Sequence, residues 1–119
     1  MNEPYITAEL LGLSLYHNTA TGNMQFTKGL QGSSNRETIT STYVLNTSSA
    51  VIHSLSATST QQVSLCATTN NLIYIVKNSS VGTVNLDVKQ GDTLVTQISA
   101  QQTALITRID SVWEQILKV

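Results

Sequence analysis

Residues 83–99 read TVNLDVKQGDTLVTQIS. In an extended chain Val84, Leu86 and Val88 fall on one face, and Thr83, Asn85 and Asp87 on the other. Period two with one apolar face predicts a half-buried β-strand. Lys89-Gln90-Gly91-Asp92 then supplies a glycine where a turn needs positive φ, and a second run, 93–99, leads away from it. The stretch is a strand, a turn and a strand.

Outward from it the same rhythm continues in both directions. Further runs are TITSTYVL (38–45), AVIHSLS (50–56), QVSLCAT (62–68), NLIYIVK (71–77), TALITRI (103–109) and VWEQILK (112–118). Their starts lie 9 to 12 residues apart, the spacing of an all-β sandwich or barrel. LIYIV is apolar on both sides, which suits a strand buried centrally or under a partner subunit. Asn46-Thr-Ser-Ser49, Thr69-Asn-Asn71 and Asn78-Ser-Ser-Val-Gly82 carry turn chemistry between runs. Pro4 lies outside every proposed strand. The expected fold is all-β: one jelly-roll-like antiparallel β-sandwich of about eight short strands, residues 38–119, preceded by an irregular N-terminal arm and loop, residues 1–37.

The N-terminal part reads two ways. In PYITAELLGLSLYHN (4–18), Leu11, Leu13 and Leu15 alternate as in a strand, while Ile6, Leu10 and Leu13 are spaced for a helix face that Gly12 weakens. We read it as a strand or an extended arm. Residues 18–37 hold three of the six glycines and few apolar residues, which reads as a loop.

Composition narrows the function. Ser, Thr, Asn and Gln make up 49 of the 119 residues, and no Asp, Glu, Lys or Arg stands between Glu37 and Lys77. A solvated helix seldom lacks charge for so long, whereas a β-surface can be built from hydroxyls and amides. Weak charge also does little to keep copies apart in solution, which points to a protein that lives assembled. A net charge of −1 disfavours nucleic-acid binding by phosphate neutralisation. No apolar run reaches membrane-spanning length, and the first residues lack the layout of a secretory signal.

Candidate chemistry is thin. Cys66 is the only cysteine, so no internal disulfide or CxxC zinc site is expected. His17 and His53 are the two histidines, and no acid or cysteine frames either in sequence. His53 alternates with Ile52, which predicts that it faces the polar side of its strand or an interface. Cys66 is expected to act as a small buried apolar residue. Asp87, Asp92 and Asp110 sit in or beside turns, and their spacing matches no calcium loop. Asn46-Thr-Ser48 and Asn78-Ser-Ser80 match the glycosylation acceptor pattern but read as turns. Tyr43, Tyr74 and Trp113 are too few and too separated for a ligand-stacking platform, and Trp113 reads as a ring that covers the end of the sandwich. No catalytic, metal or cofactor site is expected, and no enzyme activity.

The segment IYIVKNSSVGTVNLDVKQGDTLVTQISAQQTALITRIDSVWEQI resembles small β-sandwich modules of tailed-bacteriophage virion proteins. There, a strand like IYIVKN meets a Ser/Gly turn and a strand like TVNLDV. A polar edge, here Ile98–Gln102, leads to a strand of the ALITRI type, and an Asp-Ser turn delivers a tryptophan strand. Ser111 stands where the pattern has glycine after the Asp. The resemblance implies a jelly-roll or related sandwich, often a homotrimer, used as a capsid decoration (cement) protein or as a fibre knob. The absence of a heptad or collagen-like shaft favours decoration. The expectation is a non-enzymatic protein made in the host cytoplasm and carried on the capsid surface of the virion. It would bridge major capsid protein subunits, without nucleic-acid, membrane or small-molecule partners. Tyr5, Ile6, Leu10, Leu11, Leu13 and Tyr16 are the candidate partner-binding residues. They would belong to an arm that adds a strand to a neighbour, or to the first strand of the sandwich itself. A fibre tip or a carbohydrate-binding module is the rival reading.

Overall fold

The computed structural model of the protein describes residues 15–18, 23–26 and 32–119. The chain divides into two compact units, Met1–Ser33 and Ser34–Val119. In the first, β1 (Leu15–Asn18) pairs antiparallel with β2 (Asn23–Phe26), Leu15 opposite Phe26 and Asn18 opposite Asn23. β2 lies in the stretch read above as a loop; four residues with only Met24 and Phe26 apolar are too short to display a period.

The second unit is all-β, with no helix among the described residues. Its nine strands are β3 (Ser34–Thr38), β4 (Tyr43–Leu45), β5 (Ile52–Ser56), β6 (Gln61–Leu65), β7 (Ile73–Asn78), β8 (Leu86–Gln90), β9 (Thr93–Ile98), β10 (Thr103–Ile109) and β11 (Val112–Lys118). They form a five-stranded sheet in the order β11-β10-β7-β5-β3 and a four-stranded sheet in the order β4-β6-β8-β9. Residues 34–37, placed above in the N-terminal part, belong to the edge of the larger sheet.

From β3 to β8 the chain changes sheet at every connection, so each strand returns beside its predecessor in the same direction. β3, β5 and β7 are consecutive parallel neighbours in one sheet, and β4, β6 and β8 in the other. Ser34 pairs with Ile52 and Ile52 with Ile75, while Tyr43 pairs with Val63 and Gln61 with Leu86. The central strands are three turns of a flattened coil, not a set of hairpins. Beyond β8 two tight turns reverse the chain, and antiparallel pairs finish each sheet: β8 with β9, and β7 with β10 with β11.

The expected antiparallel jelly roll is therefore corrected to two mixed sheets, sandwich-like, in which β3–β5, β5–β7, β4–β6 and β6–β8 all run parallel. The reason is in the connectors. A link of four to seven residues suits a hairpin within one sheet, and equally an arch across the roughly 10 Å between two packed sheets. TITSTYVL shows it: Thr38 ends β3 in one sheet, Tyr43 starts β4 in the other, and Ile39, 4% exposed, is tucked between them.

The inward faces meet in one core. The smaller sheet contributes Leu45, Val63, Leu65, Leu86, Val88 and Ile98; the larger contributes Leu55, Tyr74, Val76, Ala104, Ile106 and Trp113. Each fully buried large apolar side chain contributes about 1.5–3 kcal/mol over its exposed state. Trp113 stacks on Tyr74 with centroids 5.8 Å apart and planes at 23°. The two edges β9 and β11 are joined by side chains: Thr96 Oγ1 donates to Gln115 Oε1, and Lys118 Nζ donates to the Gln97 carbonyl at 3.1 Å.

Candidate functional site

β5 inverts the expected alternation. His53 is buried, 1% exposed, and Ile52 faces outward, which corrects the placement of His53 on a polar face or an interface. The imidazole fits inside because both nitrogens are satisfied. Nε2 lies 2.6 Å from the Ala50 carbonyl, which only accepts, so Nε2 carries the proton. Nδ1 then accepts from Tyr43 Oη at 3.0 Å, and that hydroxyl accepts from Asn35 Nδ2 at 2.7 Å. The chain of bonds links β3, β4 and β5 across the two sheets. Burial pushes the His53 pKa below its ordinary value of 6.5, opposed by its bond to Ala50 and by the charge of Glu37. The same burial raises the Tyr74 phenol, whose Oη donates to the Asn46 carbonyl at 2.6 Å. Tyr43, His53, Tyr74 and Trp113 form a line of ring contacts inside the sandwich. Both ring nitrogens of His53 are bonded, so the line of rings ties the two sheets together through hydrogen bonds as well as packing.

Cys66, expected to be buried, is exposed, its Sγ 3.5 Å from Ser64 Oγ. Three-residue or larger groups of His, Cys, Asp and Glu suited to a metal ion do not occur among the described residues. Asn78 is fully buried, and its amide donates to the carbonyls of Val84 and Ile98 while its Oδ1 accepts from Ser80 N–H. Asn46 Oδ1 accepts from Ser48 N–H at 2.9 Å, an Asx turn. Both acceptor-pattern asparagines thus serve turns, as read from sequence. Asp110 (φ 48°) and Ser111 (φ 70°) make the two-residue β10–β11 turn, both in the left-handed region typical of a type I′ hairpin.

Of the candidate partner-binding residues, Tyr5, Ile6, Leu10, Leu11 and Leu13 lie outside the described residues. Tyr16 lies in β1, opposite Gln25.

Two surfaces of the second unit stand out. On the flank where β9 and β11 come together, Leu94 (53% exposed), Val112 (55%), Ile116 (55%) and Leu117 (53%) present apolar side chains to solvent. On the outer face of the five-stranded sheet, a groove of about 700 Å³ runs over β3, β5, β7 and the start of β10. Arg36, Glu37 and Lys77 line it together with hydroxyls, His53 and two isoleucines. Sequence reasoning missed both. The flank depends on which strands become edges, and the groove brings together residues from four strands.

No family model matches the chain, and no curated protein or solved structure matches it.

Proposed function

We propose that the protein is a non-enzymatic structural component of a virion, a capsid decoration protein that binds the outer shell through the β9–β11 flank. The observation that carries this reading is the exposed apolar surface of β11. An edge strand with Val112, Ile116 and Leu117 turned to solvent invites pairing or burial against another protein. Charge is sparse along much of the chain: residues 38–76 contain no Asp, Glu, Lys or Arg, and β11 itself carries one charge of each sign, Glu114 and Lys118. Hydroxyl- and amide-rich surfaces make wet, hydrogen-bonded contacts without desolvating many ions. The major capsid protein is the partner, and the protein acts as a homo-oligomer, a trimer in line with the virion modules that residues 72–117 resemble. Many weak copies then stabilise the assembled shell by mass action.

The test compares particles with and without the protein. Decorated shells survive higher temperature or osmotic shock than bare ones, and an Ile116→Asp, Leu117→Asp variant folds but no longer sediments with the particle. Equal survival of bare and decorated shells, or undiminished cosedimentation of the variant, overturns the reading.

A further inference from the structure

We propose that the groove on the outer face of the five-stranded sheet binds a carboxylated saccharide. Four side chains define its middle. Arg36, Ser54, Lys77 and Thr103 are successive cross-strand partners, so they form one row across β3, β5, β7 and β10. Adjacent strands lie about 4.8 Å apart, which puts the two cations about 10 Å apart at Cα with a serine between them. Both chains are long enough to bring their heads together over Ser54. Neither the guanidinium nor the ammonium has an ion pair or side-chain hydrogen bond among the described residues. Glu37 also lines the groove, and its carboxylate accepts from Asn35 Nδ2 at 3.4 Å rather than pairing with either cation. Two like charges whose side chains can reach one uncharged point favour an anionic group there.

The rows on either side specify the rest of the ligand. Toward the C-terminal ends of β3 and β5, Thr38 Oγ1 bonds Ser56 Oγ at 3.1 Å, and Ser54 Oγ bonds Ser79 Oγ. A bonded pair of hydroxyls uses one of its two protons, so each pair keeps a donor and spare lone pairs for a ligand. On the opposite side Ile52 and Ile75, direct partners in the ladder, offer an apolar strip. A sugar ring has hydroxyls on its rim and C–H faces, and a uronic acid adds one carboxylate: the same three chemistries in one small body. The groove volume lies within the range of sites for small organic ligands and far exceeds a lone inorganic anion. An acidic peptide would meet the carboxylate requirement but would leave its amide groups over isoleucine.

The experiment titrates the full chain with trigalacturonate and follows backbone amide resonances, with the trimethyl ester of the same trisaccharide and hexaglutamate as controls. Trigalacturonate moves the amides of Ser54, Lys77 and Thr103, the ester binds at least tenfold more weakly, and hexaglutamate is weaker than trigalacturonate. Arg36→Ala and Lys77→Ala each weaken trigalacturonate binding at least fivefold while the melting temperature stays within a few degrees. The proposal is overturned by no response, by an equal response to the ester, by shifts confined to other surfaces, or by hexaglutamate binding as well or better. Loss of shell binding through the β9–β11 flank is read with different variants, so the two readings stand or fall separately.

Discussion

Asn78 shows how much one polar side chain can hold. Its amide bonds two carbonyls, at 2.9 and 2.8 Å, from the β7–β8 connector and the end of β9, and its carbonyl oxygen caps Ser80 N–H at 3.0 Å. Asn78→Ala removes three hydrogen bonds to backbone groups, two of them buried, and is expected to cost about 2–4 kcal/mol, measured by urea unfolding. His53 sets a pH dependence. Its folded pKa lies below 6.5, so as pH falls the unfolded chain takes up the proton first. Stability is fully present above about pH 6.5 and declines as pH falls from there toward the lower folded pKa. Melting temperature recorded between pH 7.5 and 5 falls for the native protein; in His53→Gln the curve is flatter over that interval. Ser111, at φ 70°, holds a conformation that costs an L-residue about 1–2 kcal/mol, so Ser111→Gly is expected to raise stability by about 1 kcal/mol in thermal unfolding. Its backbone N–H donates to Asn70 Oδ1 at 2.8 Å, a bond that does not use the serine side chain and survives the change.

At the scale of the element, β11 is the strand on which closure depends. Trp113 points inward, and the rest of the strand is exposed. Along β9 it is held by the Gln115–Thr96 and Lys118–Gln97 bonds rather than by a main-chain ladder. Gln115→Ala is expected to cost about 1 kcal/mol and to speed hydrogen exchange at the amides of β11, leaving those of β7 unchanged. Equal acceleration in β7 would mean that the strand opens only with the whole sheet. The β8–β9 turn is simpler. Gly91, with φ 58°, sits at its first central position, between the paired residues Gln90 and Thr93. This is the turn whose chemistry is plainest in the sequence.

For the whole second unit, Trp113 is both a structural member and a reporter. It is the single Trp of the chain and is 5% exposed. Its emission is expected to be blue in the native state and to shift red on unfolding, in step with the loss of far-ultraviolet dichroism. A tryptophan transition that precedes the dichroism transition would show that the β10–β11 hairpin leaves the coil before the coil itself unfolds. Trp113→Ala removes a ring from between Tyr74 and the sheet edge and is expected to cost about 3–5 kcal/mol. The coil also explains why folding is not purely local. Each parallel pair closes a loop of roughly 20 residues through the opposite sheet before a ladder bond forms.

Strand content, strand positions and the polar, weakly charged exterior are properties of local pattern, and alternation at Leu86-Asp87-Val88 or Val63-Ser64-Leu65 is enough to read them. The Asp110-Ser111 turn and the asparagine turns were legible for the same reason: each depends on residues close in sequence. Strand direction was not. A short polar link serves a hairpin and an arch alike, and only the pairing of Ser34 with Ile52 and of Ile52 with Ile75 turns the chain into a coil. Nor could the sequence place His53, because a buried imidazole is tolerable only where the Ala50 carbonyl and Tyr43 Oη, itself held by Asn35 of another strand, satisfy its two nitrogens. The Arg36–Ser54–Lys77 row belongs to the same class. Residues 18 and 23 positions apart become neighbours by register, and register is set by the burial of whole sheets rather than by any one segment.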